Sequence, residues 1–290
     1  MKGSVNKSEL IALLNLMDDP DPEIFSKVEH KVVEIGAPAL PYIENAYNNS
    51  EDDLSSKRLE TLSRKIKLDK TITAIQQWQE LPEQNLIEAC IILAKYHYPK
   101  LDHSHIKDQI ERLKKDVWLE LNEEFTALEK INILNHVFFE IYNFKGNKTN
   151  INQPQNSLII DLLEQKQGNS VILSILYLEI AQSMEIPVYS VNLPENFILA
   201  YQENTHLHTN NNQALFYINP FNQGVIFSRQ DINTFITQLD LPSNEEYYKP
   251  CSKQTTLKRL MNELLQSYEL SGDYTKSQEL KTMINRLYST

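Results

Sequence analysis

Apolar residues in the first 143 residues recur at helical spacing. In "SELIALLNLMDD", apolar residues at 10, 11, 13, 14 and 17 share one helix face, with Ser8 as N-cap. The same three- and four-residue spacing recurs in "LSSKRLETLSRKIK", "LIEACIILAKYHY", "IKDQIERLKKDVWLEL" and "ALEKINILNHVFFEIY". Pro82 and Pro99 separate some of these segments. We therefore predict that the first half of the chain is helical.

The pattern changes to short apolar runs in the second half. A helix beginning at Ser170 is followed by four runs rich in β-branched and aromatic residues, at 187–193, 197–202, 214–219 and 224–228. Turn residues bound each run, which predicts four adjacent antiparallel strands. "SRQDINTFITQLD" then returns to helical spacing. The fold class predicted is α+β, predominantly helical, with one small antiparallel sheet.

Both ends of the chain resemble helical repeats. "DPDPEIFSKVEHKVVEIGAPALPYIENAY" is similar to one HEAT-type helical pair, and the tail resembles one tetratricopeptide-type hairpin that turns at Gly272-Asp273. A single unit of this kind cannot bury its own apolar face, so we expect the hairpin to pack on the core or on a partner. The predicted domains are a HEAT-like region at 1–82, a core at 83–242 and the hairpin at 243–290.

The charge balance limits the classes of partner. The chain has 28 basic and 39 acidic residues and a net charge of −11, which disfavours a nucleic-acid partner. We find no signal peptide and no apolar segment long enough to span a membrane. Only Cys90 and Cys251 are present, so no disulfide framework is expected. These features predict a soluble cytoplasmic protein that binds neither nucleic acid nor membrane.

Candidate metal ligands are close together at three places in the sequence. They are Asp18, Asp19 and Asp21; His97, His103 and His105; and His206 and His208. The aspartates lack calcium-loop spacing and suit helix capping, and neither histidine group has a thiol or carboxylate partner at zinc-site spacing. We therefore expect no metal and no cofactor.

Three motifs follow one another in the second half: "GNS" at a helix start, "NLPENFIL" on a predicted strand and "YINPFNQG" on the next. Their order resembles the transglutaminase-like fold, in which a cysteine opens a helix, a histidine lies on one strand and an aspartate on the next. "VNLPENF" and "NPF" are more closely similar to the SirB-type branch, with its Val-Asn-x-Pro-Gly-His-Phe and Asp-Pro-Phe strands. The flanks "DDPD" and "AKYHYPKLD" also suit that branch. The resemblance implies a papain-like core and covers nearly the whole chain.

The three positions that carry the chemistry in that family differ here. Carried over by position, the nucleophile site is Ser170, the histidine site is Asn196 and the acid site is Asn219. A serine hydroxyl needs an oriented base, and an asparagine amide does not take up a proton at neutral pH. The resemblance therefore implies a transglutaminase-like protein that has lost acyl-transfer chemistry.

The same residues can instead form a binding groove for a protein or peptide partner. The candidate groove residues are Asn169, Ser170, Asn192, Glu195, Asn196 and Asn219. An exposed helix N-terminus there would favour a carboxylate or another anion. A structural interpretation is also open, in which Asn169 or Ser170 caps the helix and the other asparagines bridge strands.

Two further hypotheses remain open at this stage. One is a hydrolase or acyl transferase with relocated catalytic residues, for which Cys251 and either His206 or His208 are the available groups. The other is a structural helical adaptor whose cleft is filled by its own side chains. A ligand-sized opening between Ser170 and Asn219 would count against the adaptor.

Overall fold

The computed structural model describes residues 7–50, 52–99, 101–202 and 214–288, most of which are helical. The chain divides into two compact units, Met1–Gln77 and Trp78–Thr290. The sequence analysis placed its boundaries at 82 and 242 instead. The segment 243–290 lies in the same unit as the predicted core, because its first helix is buried against that core.

The first unit contains α1 (Lys7–Leu14), α2 (Pro22–Ile35), α3 (Leu40–Asn48) and most of α4 (Asp53–Gln79). Asp21 caps α2 by accepting a hydrogen bond from the Glu23 backbone N–H at 2.8 Å. Gly36, at φ +71°, ends the same helix. The buried core of this unit includes Leu10, Val32, Ile43, Leu59 and Leu62. Of the three aspartates before α2, Asp21 therefore has the capping role.

Eight further helices lie in the described part of the second unit. They are α5 (Leu86–His97), α6 (His103–Glu120), α7 (Ala127–Asn135), α8 (Ile159–Gln165), α9 (Ser170–Ser183), α10 (Arg229–Gln238), α11 (Lys253–Ser271) and α12 (Tyr274–Tyr288). A π-helical segment, His136–Ile141, continues α7. Every residue of α9 from Val171 to Ala181 is buried. A helix that is apolar on all sides is expected at the centre of a unit, as α9 is here.

Two sheets form around α9. The strands β1 (Lys145–Gly146) and β2 (Gln167–Gly168) pair in parallel. The larger sheet is an antiparallel meander in chain order, and its strands are β3 (Val188–Leu193), β4 (Asn196–Tyr201), β5 (Phe216–Asn219) and β6 (Val225–Phe227). The four antiparallel strands predicted from the sequence are therefore confirmed. Both β3 and β4 contact α9, which places the sheet on this central helix.

The helices α11 and α12 are consecutive and contact each other, with Gly272 in a left-handed conformation between them. α11 also contacts α5, α9 and β3, and its Leu257, Leu260 and Leu264 are buried. This pair of helices therefore packs on the core, which is one of the two arrangements expected. Over the described residues, no helix is both long enough and apolar enough to cross a membrane.

Candidate functional site

The start of α9 is capped by Asn169. Its Oδ1 accepts hydrogen bonds from the backbone N–H groups of Val171 at 3.1 Å and Ile172 at 3.0 Å. Its Nδ2 donates to the Ser157 Oγ at 2.7 Å, and its backbone N–H donates to the Asn156 carbonyl at 2.8 Å. Two of the N–H groups that a helix start leaves without intrahelical partners are therefore satisfied within the chain. Asn169 has the capping role that the structural interpretation offered.

A buried pair of asparagines holds the preceding polar loop beside this helix start. The Asn147 Nδ2 donates to the Asn156 Oδ1 at 2.9 Å, and the Asn156 Nδ2 donates to the Asn150 carbonyl at 2.6 Å. Asn147 and Asn156 are both nearly inaccessible to solvent. Buried amides of this kind need hydrogen-bond partners, and here they find them in one another and in the loop backbone. The loop therefore forms a stable wall next to α9.

A cavity of about 250 Å³ opens at the start of α9. Ser170 lines it from the first residue of α9, Glu195 from the turn between β3 and β4, Asn196 from the start of β4, and Asn147 from the loop. Neither the Ser170 hydroxyl nor the Asn196 side-chain amide has a hydrogen-bond partner within the described ranges. These two polar groups are therefore available to a ligand.

α11 forms a further wall of the cavity. Glu263, Gln266, Ser267 and Leu270 line it from one helix face. The Arg259 Nε donates to the Glu263 Oε1 at 2.8 Å, which pairs this carboxylate with a cation. Sequence reasoning missed this wall, because helical spacing shows which face of α11 is apolar and does not show what the polar face approaches.

Four of the six predicted groove residues line the cavity: Asn169, Ser170, Glu195 and Asn196. Asn192 does not, and its Oδ1 accepts a hydrogen bond from the Arg259 Nη1 at 3.3 Å. This contact joins β3 to α11. Asn192 is therefore not a groove residue, and its side chain instead links the sheet to the C-terminal helices.

Asn219 requires the same correction. Its Oδ1 accepts a hydrogen bond from the Asn222 backbone N–H at 3.2 Å and caps the short 3₁₀ turn Pro220–Asn222. The aromatic ring that follows, Phe221, lines the cavity instead. The opening therefore lies between Ser170 and Asn196, and the side chain of Asn219 is engaged in its own turn.

The lining of the cavity does not have the arrangement that nucleophilic catalysis requires. A serine nucleophile needs a base within hydrogen-bond reach, and the Ser170 hydroxyl has no such contact to a described residue. Neither Cys nor His is among the lining residues. Glu263, one of the two carboxylates present, is bound to Arg259. What the cavity offers is hydrogen-bond donors and acceptors from amides and hydroxyls.

The cavity also disfavours the anion that the helix N-terminus suggested. The N–H groups of Val171 and Ile172 already donate to Asn169, so they are not free to bind a ligand. Glu195 and Glu263 line the cavity, and no Lys, Arg or His does. An anionic ligand would meet two carboxylates and no cation there. The expectation of anion binding is therefore corrected.

Neither cysteine is an activated thiol. The Cys251 Sγ lies 3.6 Å from the Thr256 Oγ1 outside the cavity, and burial raises the pKa of this thiol. Cys90 is buried, and burial raises its pKa strongly, with a further contribution from the Glu179 carboxylate. Nucleophilic cysteines have lowered pKa values instead. His206 and His208 lie outside the described residues.

The other three candidate histidines are spread over two elements. His97 is at the end of α5, whereas His103 and His105 are in the first turn of α6. In the part of the chain that the structure describes, no group of three or more His, Cys, Asp or Glu residues could hold a metal ion.

The chain is similar to curated bacterial proteins at low sequence identity, but over most of its length. The chain is 24% identical over 191 residues to UPF0162 protein PA3419 of Pseudomonas aeruginosa, covering 65% of this chain and 66% of that protein. It is 20% identical over 213 residues to a UPF0162 protein of Xylella fastidiosa, covering 70% and 71% of the two chains. It thus spans about two thirds of these bacterial relatives.

A mouse protein, F-box only protein 21, is 24% identical over 152 residues, which cover 49% of this chain and 24% of that protein. No solved structure is significantly similar to the chain. Residues 104–262 match the family described as the transglutaminase-like superfamily, and this match contains α9 and the whole antiparallel sheet. Because the match covers more than half of the chain, the protein belongs to the transglutaminase-like superfamily.

Proposed function

We propose that this protein is a non-catalytic, SirB-type member of the superfamily that binds a protein or peptide segment in the cavity at the start of α9. The observation that carries the proposal is the pair formed by Ser170 and Asn196. Both line the cavity with polar groups that have no hydrogen-bond partner among the described residues. Groups in this state form hydrogen bonds with a ligand without first breaking contacts within the protein.

The chemistry of the site opposes turnover. Acyl transfer requires an activated nucleophile and a group that moves its proton. Asn196 occupies the position that the family resemblance gives to the histidine, and an amide does not accept a proton at neutral pH. In a serine-protease triad, replacing the aspartate alone by asparagine lowers turnover by about 10⁴. In this chain, the residues at the positions of the thiol, the imidazole and the acid are all replaced by residues with a hydroxyl or an amide.

The shape and composition of the cavity suit a peptide. Its amides and hydroxyls both donate and accept hydrogen bonds, as a peptide backbone requires. Ile151, Phe221 and Leu270 add apolar surface to the lining. A volume of about 250 Å³ is smaller than pockets for whole drug-sized ligands, which begin near ~300 Å³. One or two side chains of a longer segment fill a space of this size.

The two rival hypotheses are less well supported. A cleft filled entirely by its own side chains conflicts with the cavity beside Ser170, although Asn219 does not line this cavity. An enzyme with relocated groups needs a reactive thiol, whereas burial raises the pKa of Cys251.

The test is a comparison of binding in two tryptophan variants. Random-sequence peptides displayed on phage are selected against the intact protein and then measured against Gln266→Trp, whose indole would occupy the cavity. Glu269→Trp is the control, since Glu269 is exposed on the same helix and does not line the cavity. We expect Gln266→Trp to abolish binding and Glu269→Trp to preserve it. Peptidase or acyl-transfer activity that Ser170→Ala removes would contradict the proposal.

A further inference from the structure

We infer that the cavity selects peptide segments that carry a lysine or arginine, with the Glu195 carboxylate as the counter-charge. This inference rests on the proposed function and names the class of its ligand. It starts from the charges around the cavity, where two carboxylates and no cationic side chain are among the lining residues.

The two carboxylates are not equivalent. Glu263 is paired with Arg259 at 2.8 Å, and both side chains are about three quarters buried, with 27% and 22% exposure. Glu195 forms no ion pair with any residue in the described ranges and is exposed at the cavity. The uncompensated negative charge of the site is therefore that of Glu195. A cationic group of a ligand neutralises it without displacing a protein side chain.

The Glu195 carboxylate lies next to the unpaired amide of Asn196. Glu195 is in the two-residue connection between Leu193 and Asn196, and Asn196 is the first residue of β4. Both residues line the cavity. A charged group and a hydrogen-bonding group therefore reach the cavity from consecutive residues.

The apolar part of the lining suits the same ligand. Leu270 is 58% exposed and Ile151 is 61% exposed, and both line the cavity. Lysine and arginine have aliphatic stems that cover apolar surface while their charged ends remain in polar surroundings. A stem that lies along Leu270 or Ile151, with its charged end at Glu195, uses both parts of the lining.

The inference is tested with four pools of heptapeptides that differ only at the central residue. The flanking positions are random mixtures of Ala, Ser and Leu, both ends are blocked, and the centre is Lys, Arg, Met or Glu. Binding to the full chain is measured by fluorescence polarisation at low salt. We expect the Lys and Arg pools to bind about tenfold more tightly than the Met pool, and the Glu pool to bind most weakly.

Two glutamine variants provide the matched comparison. Glu195→Gln should weaken binding of the Lys pool about tenfold and leave the affinity for the Met pool unchanged. Glu185→Gln is the control, because Glu185 is also an exposed turn residue at positive φ and lies beyond the opposite end of α9. Glu185→Gln should leave the affinities for both pools unchanged. Arg259→Met, checked for folding by circular dichroism, should strengthen binding of the Lys pool because it frees Glu263.

The outcomes separate the inference from the proposed function. If the Lys, Met and Glu pools bind equally and Gln266→Trp blocks all of them, the charge selection is wrong and peptide binding stands. If the Glu pool binds best, the inference is also overturned. If no pool binds the unaltered protein, both the inference and the proposed function fail.

Discussion

At the scale of single residues, the asparagines at this site differ in role although their chemistry is the same. The amide oxygen of Asn169 accepts hydrogen bonds from two helix N–H groups, and that of Asn219 accepts one from a turn N–H. Asn196 has a free side-chain amide at the cavity. The local backbone decides which role applies, because a helix start and a 3₁₀ turn both present N–H groups that need an acceptor.

Asn169→Ala is expected to lower the free energy of unfolding by about 1–2 kcal/mol, the usual effect of losing an N-cap. It also leaves the Ser157 hydroxyl without its 2.7 Å contact. Ser170→Ala is the control and should change stability by less than about 0.5 kcal/mol, because the Ser170 hydroxyl has no partner to lose. Urea unfolding of the two variants checks this. Equal destabilisation by both changes would contradict the assigned roles.

Ser170→Cys is expected to create a thiol that reagents can reach. The first residue of α9 lines the cavity, so a thiol at this position is more accessible than the largely buried Cys251. Burial raises the pKa of Cys251, so the native thiol should react slowly. We expect iodoacetamide to label the variant about tenfold faster than the unaltered protein at pH 7. Equal labelling rates would show that the start of α9 is not accessible.

At the scale of elements, α5 is joined to α11 and α12 by hydrogen bonds from consecutive residues. The Tyr96 hydroxyl donates to the Glu279 carboxylate on α12, and the His97 Nδ1 lies 2.8 Å from the Tyr268 hydroxyl on α11. Burial lowers the pKa of His97 from 6.5 to about 3, with Lys276 lowering it further and Asp273 opposing the shift. His97 therefore stays neutral in the folded protein over the physiological range.

The depressed pKa of His97 predicts a loss of stability in acid. The unfolded chain binds a proton at this residue below about pH 6.5, whereas the folded chain does so only near pH 3. Unfolding therefore becomes more favourable as the pH falls between these values. The contribution from His97 is about 2 kcal/mol between pH 6.5 and pH 5, at 1.36 kcal/mol per pKa unit.

The measurement is urea unfolding at pH 7.5 and pH 5.0. His97→Gln should reduce the difference between the free energies of unfolding at the two pH values, because it removes the group that titrates. His136→Gln is the control, since His136 is exposed beside Glu140 and should leave the difference as it is. The assignment fails if His97→Gln has the same pH dependence as the unaltered protein.

At the scale of the whole second unit, the C-terminal helices are part of the structure around the cavity. The Glu179 Oε1 accepts hydrogen bonds from the Lys253 Nζ at 3.2 Å and from the Leu86 backbone N–H at 3.1 Å. This carboxylate on the central helix is only 8% exposed, and it holds α5 and α11 together. The position of the cavity wall on α11 therefore depends on packing against the core.

Lys253→Met is expected to destabilise the protein by about 2–3 kcal/mol, because it leaves the buried Glu179 without its cation. Lys249→Met is the matched control. The Lys249–Glu246 pair spans 3.5 Å between side chains that are 56% and 74% exposed, and pairs of this kind contribute little. Thermal unfolding followed by circular dichroism distinguishes them. Similar melting temperatures for the two variants would mean that Glu179 does not depend on Lys253.

The helices and strands could be predicted from local sequence. The spacing of apolar residues predicts the helical first half and the four strands, because each pattern reports one face of one element. The cavity-lining roles of Ser170 and Asn196 followed from motif order. The α11 wall and the engagement of Asn192 and Asn219 could not be predicted, because those contacts join residues that are distant in the chain or depend on the backbone of one turn.

The sequence by itself determined which chemistry is available: an alcohol and two amides occupy the three positions that the family resemblance predicts, and neither group takes up a proton near neutral pH. Tertiary structure alone decided which of these groups face a ligand. Packing of α11 on α9 brings the Arg259–Glu263 pair of α11 to the cavity that Ser170 and Asn196 line, and leaves Glu195 as the free charge there. The physical reason is that side-chain identity is local, whereas burial and pairing depend on segments that only folding brings together.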